Sequence, residues 1–148
     1  MIERAFAEEF AVDWIDAWND DDEERLFYHF SGDFQAWAPA LALISGDGTL
    51  TLRGRSAVIE AWAHGRYRLA DVRFALTSVL VGETNVTVYY QGIRRRLAAE
   101  TFYFDADLRV AWAVTMLGEP LAAWPFAASA RYSRNQPQRD REGFRACA

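Results

Sequence analysis

Two runs decide the fold: Leu97-Ala-Ala-Glu-Thr-Phe-Tyr-Phe104 and Val110-Ala-Trp-Ala-Val-Thr-Met-Leu117, joined by the acidic turn Asp105-Ala-Asp107. Ala98, Glu100, Phe102 and Phe104 alternate with Ala99, Thr101 and Tyr103, the two-residue period of a strand. The second run has no polar face at all. A strand of that kind needs cover on both sides, and the expectation is helices on one side and a second copy of the chain on the other. With Phe102, Ala113, Thr115 and Leu117 turned inward, Trp112, Val114 and Met116 project from the opposite face. Their exposure as one apolar patch is costly, so a symmetric homodimer through that face is expected.

Working outward, Phe6, Phe10, Trp14 and Trp18 step by four, backed by Ala7, Ala11 and Ile15, while Glu8, Glu9, Asp13 and Asp16 take the other side. This is an amphipathic helix with an aromatic stripe. Asp20 is the expected cap of a short second helix, with Glu23 as its capping-box partner. Phe34 to Leu43 reads as a strand, Ser45-Gly-Asp-Gly48 as a hairpin turn, and Thr49 to Arg53 as the return strand, with Pro39 marking an edge or bulge. Gly54 and Ser56 introduce a third helix that Gly65 is expected to end, which puts His64 in its last turn. Val72 to Val81 and Val86 to Gln91 complete a four-strand meander with the opening pair.

Composition bounds the function. A chain of 148 residues is read as one domain over residues 1–120 with a C-terminal extension, 121–148, flexible in its last part. The 6 Trp, 6 Tyr and 10 Phe exceed what a small core needs, so some are expected in a pocket or an interface. Net charge is −5, and up to Asp33 the many acids face only Arg4 and Arg25, an end that repels nucleic acid. Cys147 is the only cysteine; with two histidines it supplies neither an intrachain disulfide nor a structural zinc site. No secretion signal, membrane span, phosphate-binding loop or dinucleotide motif is legible, so a cytoplasmic protein without cofactor, metal or membrane partner is expected.

The element order, together with Trp14-Ile-Asp-Ala-Trp-Asn19, Gly54-Arg-Ser-Ala-Val-Ile-Glu-Ala-Trp62 and Glu100-Thr-Phe-Tyr-Phe-Asp-Ala-Asp-Leu-Arg-Val110, resembles the nuclear transport factor 2-like superfamily, and within it the SnoaL-like group. The resemblance covers roughly residues 5 to 118. It implies an α+β fold in which a curved, mostly antiparallel sheet wraps around N-terminal helices as a cone-shaped half-barrel. That superfamily includes isomerases, dehydratases, epoxide hydrolases, polyketide cyclases and members without chemistry, so residues must decide.

Ketosteroid isomerases pair an Asp base with an oxyanion hole made by a Tyr and a protonated Asp. By motif, Trp14 stands at the tyrosine position, Ala38 at that of the base and Glu100 at that of the oxyanion acid. A methyl group abstracts no proton, so that isomerase chemistry is not expected. Glu100 is the leading candidate for acid–base work, against the alternative of a structural carboxylate bonded to a helix end or an Arg. His29 and Asp33, four apart, are a weaker acid/base candidate. Trp14, Trp18, Ala38, Trp62, Phe102 and Leu117 are the expected lining for a small apolar molecule. Arg94-Arg-Arg96 is weighed as a grip for an acidic ligand against a solvated turn. The competing reading is a non-catalytic dimeric interaction module whose pocket is filled by its own aromatics.

Overall fold

The computed structural model describes residues 1–38, 51–69, 72–92 and 95–118, with the backbone alone described at residues 62 and 64–69. Helices α1 (Arg4–Asp20) and α2 (Glu23–Tyr28) lead into β1 (Phe30–Trp37); β2 (Thr51–Arg53) and α3 (Arg55–Leu69) follow; β3 (Ala75–Val81), β4 (Asn85–Gln91), β5 (Leu97–Phe104) and β6 (Val110–Leu117) form the meander. The sheet order is β2-β1-β6-β5-β4-β3, antiparallel throughout except where β1 runs parallel to β6. The α+β architecture is the expected one. The parallel pair joins segments so distant in sequence that no local pattern announces it.

The aromatic stripe of α1 seats the helix in the sheet. Phe10 and Trp14 are buried, and both meet Phe102 edge-on, at 4.9 and 5.2 Å between ring centroids. Phe6 and Phe10 also pack on Phe104 at the far end of β5. Val86, Val88, Phe34 and Val110 close the core around them. Asn19, at the end of the quoted α1 motif, ties the helix to the sheet: its Nδ2 donates to the Phe74 carbonyl at 2.9 Å and its Oδ1 accepts from the Phe74 N–H at 2.8 Å. A side-chain amide thus takes both backbone groups of one residue, as a neighbouring strand would.

Several boundaries differ from expectation for local reasons. Asp21 adopts the left-handed conformation (φ 67°) that ends α1, so the next extended residue, Asp22, caps α2 and accepts from the Arg25 N–H at 3.0 Å; Asp20 belongs to α1 instead. The first strand begins at Phe30, four residues early, because the Val110 N–H donates to the His29 carbonyl and draws the chain onto β6. Helix α3 runs through Gly65 to Leu69, which leaves His64 short of its last turn. A lone glycine costs a helix only about 1 kcal/mol, less than the packing of a helix on a sheet returns. Gly54 is the glycine whose freedom is used: its φ of +80° turns the chain from β2 into α3 while its N–H bonds the Phe34 carbonyl.

The turn between β5 and β6 is built by Asp105, whose Oδ1 accepts from the N–H groups of Asp107 and Arg109, both at 2.9 Å. Residues 39–50, with Pro39 and the Ser45–Gly48 turn, and the segment from 119 onward lie outside the described residues, as does Arg94. Among the described residues no helix is long and apolar enough to cross a membrane. Asn19→Ala removes both bonds to Phe74 and leaves two backbone groups half-buried; a loss of about 1–3 kcal/mol is expected in urea unfolding, with unchanged secondary structure by circular dichroism.

Candidate ligand-binding site

The register of the meander places one polar cluster on the concave face. Opposite residues across the strands run Val79, Val88, Glu100, Thr115 in one row, Val86, Phe102, Ala113 in the next toward Phe104, and Tyr90, Ala98, Leu117 on the other side. Glu100 is therefore bounded by apolar side chains along both strand directions. Its half-buried carboxylate has one short partner: the Thr115 hydroxyl donates to Oε2 at 2.6 Å. No Arg or His is paired with Glu100 among the described residues, and none of the described hydrogen bonds joins it to a helix end.

Burial disfavours the charged carboxylate more than the Thr115 hydrogen bond favours it, and the Glu100 pKa is raised to about 7. Although the side chain keeps some accessible surface, its surroundings are protein in nearly every direction, and the environment governs desolvation. Tyr90, 6% exposed, stands one row away; burial first, and the Glu100 charge second, raise its phenol well above the ordinary value. The Tyr90 ring is held between Trp14 (5.4 Å) and Phe74 (5.0 Å), and Trp18 closes on Phe74 at 5.3 Å. Tyr90 and Phe74 were not singled out from the sequence. The signal available was the alternation of β4, which puts Val86, Val88 and Tyr90 on one buried face.

Of the expected lining, Trp14 and Phe102 are buried in mutual contact, and Trp18 and Leu117 pack half-buried against the same core. Ala38 follows the end of β1 and is half-buried. The side chain of Trp62 lies outside the described residues. His29 and Asp33 do not pair. Once Phe30 starts a strand, four residues span roughly 13 Å instead of one helical turn; Asp33 is exposed and accepts from the Ser31 hydroxyl at 3.0 Å.

His29 bonds Asp13 on α1 instead, Nε2 to Oδ2 at 2.8 Å, while the Arg25 Nε meets the other carboxylate oxygen at 2.5 Å. Burial pulls the Asp13 carboxyl upward, but the bonds from His29 and Arg25 outweigh it and hold it below the ordinary carboxylate value. This network staples α2 and the head of β1 to the outer side of α1. It also lines an open surface groove with Glu8, Glu9 and Val12, away from the concave wall. No group of three or more acidic, His or Cys side chains suited to a metal ion occurs among the described residues.

Solved structures now place the chain among its relatives. A SnoaL-like protein of unknown function from Burkholderia thailandensis is 33% identical, covering 80% of this chain and 100% of that one, with a TM-score of 0.75. The chain belongs to the SnoaL-like group of the nuclear transport factor 2-like superfamily. A nuclear transport factor 2-like protein of unknown function from Burkholderia pseudomallei shares the fold at 14% identity (75% of this chain, 89% of that one, TM-score 0.62). So does SalBIII, an epoxide hydrolase/cyclase-like enzyme with a role in pyran ring formation in the polyether salinomycin, at 14% identity (80% and 95%, TM-score 0.59). No family model matches the sequence, and no curated protein does.

The raised Glu100 pKa makes this SnoaL-like domain less stable as pH climbs. The carboxyl is neutral in the fold up to about 7 but ionises from about 4.5 in the unfolded chain, so between those values the folded state binds more protons. The stabilising contribution is complete below pH 4.5 and is lost as pH rises through 7. In Glu100→Gln the slope over that window is expected to flatten, removing on the order of 3 kcal/mol of pH dependence in denaturant titrations. An unchanged slope would place the carboxyl in water.

Proposed function

We propose that this SnoaL-like domain binds a small, mainly apolar molecule against its concave wall, with Glu100 as the polar anchor. The observation that carries the reading is a carboxyl of pKa about 7 set among aromatic and aliphatic side chains without a cationic partner in the described structure. A structural carboxylate is ordinarily paired; one left protonatable near neutral pH is poised to give or take a proton. Where the domain turns a substrate over, the reaction is cofactor-free acid–base work of the isomerase, dehydratase or cyclase type. In support, a neighbour that shares the fold is an epoxide hydrolase/cyclase-like enzyme with a role in pyran ring formation. Trp14, Trp18, Ala38, Trp62, Phe102 and Leu117 supply the lining in this reading.

Saturable quenching of tryptophan fluorescence by 1-tetralone tests the binding role. Wild-type protein is expected to bind more tightly below pH 7 than above it. Glu100→Gln, which keeps a donor but cannot ionise, retains binding and loses the pH dependence. Absence of saturation up to about 1 mM, an affinity weaker than about 4 kcal/mol, would remove the small-molecule reading.

The convex face supports a second proposed feature, a homodimer. Trp112 (46% exposed), Met116 (46%) and Tyr103 (42%) stand together with Trp37 and half-buried Val114 across β5, β6 and β1. The polar groups between them are neutralised, because Thr87 and Thr101 bond to each other at 2.9 Å and turn their hydroxyls inward on the pair. Such a face is self-complementary to a second copy. Sedimentation at micromolar concentration is expected to give a dimer, and Trp112→Glu a folded monomer; a wild-type monomer would overturn the arrangement.

A further inference from the structure

We propose that Thr115 is a positioning residue for Glu100: its hydroxyl holds Oε2, and the proton that the carboxyl gives or takes is thereby assigned to Oε1. This rests on the reading of the concave wall as a binding site and says which atom of its anchor does the exchange. Glu100 and Thr115 are direct partners across β5 and β6, so the two side chains leave the sheet on one face, side by side. Thr115 is 8% exposed and stands between Ala113 and Leu117 along that face of its strand. Its branched Cβ restricts the side chain at χ1, so the hydroxyl is a fixed donor.

The Thr115 hydroxyl has one proton, and the acceptor described for it is Glu100 Oε2 at 2.6 Å, the length of a bond to an ionised carboxylate. With that donation in place, a proton on Oε2 would crowd a second hydrogen into the same gap. The neutral carboxyl therefore carries it on Oε1, and Oε2 is the carbonyl oxygen that accepts from Thr115. On ionisation the Oε1–H bond breaks, its electron pair stays with the carboxylate, and the charge that spreads onto Oε2 meets a donor already in place. Thr115 thus opposes the burial that keeps the carboxyl neutral up to about 7. The other titratable group facing Glu100 among the described residues is Tyr90 of β4, which stays protonated. Beyond Val88, β3 presents Val79, and β6 has no ionisable side chain. Glu8, Glu9, Asp13, Asp16 and Asp20 of α1 lie on its outer side, along the surface groove or against Arg25.

The test needs no ligand. In infrared difference spectra taken across the Glu100 titration, the carbonyl stretch of the protonated carboxyl is identified by its loss in Glu100→Gln. Thr115→Val keeps the shape of the side chain and removes the donor. In it the stretch is expected to move to higher wavenumber and the titration midpoint to rise by about one pH unit, a tenfold tighter hold on the proton. Thr115→Ser is expected to restore both, and Thr115→Cys, a weak donor, to fall between, which keeps the test open should the valine variant fail to fold. A stretch that does not move would put the proton on Oε2, and a midpoint that does not move, or that Ser fails to restore, would make Thr115 a packing residue; either result overturns the proposal. Saturation by 1-tetralone is read separately: its absence in wild type removes the binding site, while the spectra still decide the role of Thr115.

Discussion

Phe102 of β5, held edge-on by both Phe10 and Trp14 of α1, is the contact on which the rest of the molecule depends. It lies at the centre of the concave face, in the row shared with Val86 and Ala113, and α1 reaches the sheet through it. Phe30 joins the same group at 6.3 Å from Phe102, so the head of β1 is drawn in as well. Edge-to-face rings add an attraction beyond the area they bury, and they fix orientation as well as distance. With α1 seated there, its Trp14 and Trp18 come to rest one and two turns along, over Tyr90 and Phe74, and the carboxyl of Glu100 is enclosed.

The two faces of the same pair of strands are thereby given different work. Inward, the alternation of β5 presents Ala98, Glu100, Phe102 and Phe104 to the helices; outward it presents Thr101 and Tyr103 beside Trp112 and Met116 of β6. Desolvation is strong on the inner set, which is why the Glu100 carboxyl, without a cationic partner among the described residues, is pushed to about 7; at Asp13 the bonds from His29 and Arg25 outweigh it. On the outer set the Thr87–Thr101 bond removes the polar obstacle from an otherwise apolar surface. A binding wall and an association surface, as proposed, both follow from one two-residue period.

A second structural anchor balances the first from outside. Asp13 gathers Arg25 of α2 and His29 at the junction with β1, while Asn19 holds the entry to β3. The helix is held by polar contacts at Asp13, midway along its outer side, and at Asn19 near its C-terminal end, and by aromatic contacts on its inner side. The polar anchors use side chains whose partners lie 12, 16 and 55 residues away. None of those pairings has a local signature.

Periodicity alone determined the secondary elements: the four-residue step from Phe6 to Trp18 required a helix with an aromatic stripe, and the alternation from Leu97 onward required a strand whose inner face carries Glu100. The family followed from the order of these elements with the motifs around Trp14, Gly54 and Glu100. Boundaries set by single backbone conformations, such as the left-handed Asp21 that moves the cap to Asp22, were illegible because they depend on φ, not on residue type. Tertiary structure decided which residues meet. It set β1 parallel to β6, took His29 from Asp33 to Asp13, and brought Tyr90 beside Glu100, since pairings between distant segments are chosen by how whole elements pack and leave no trace in the local pattern.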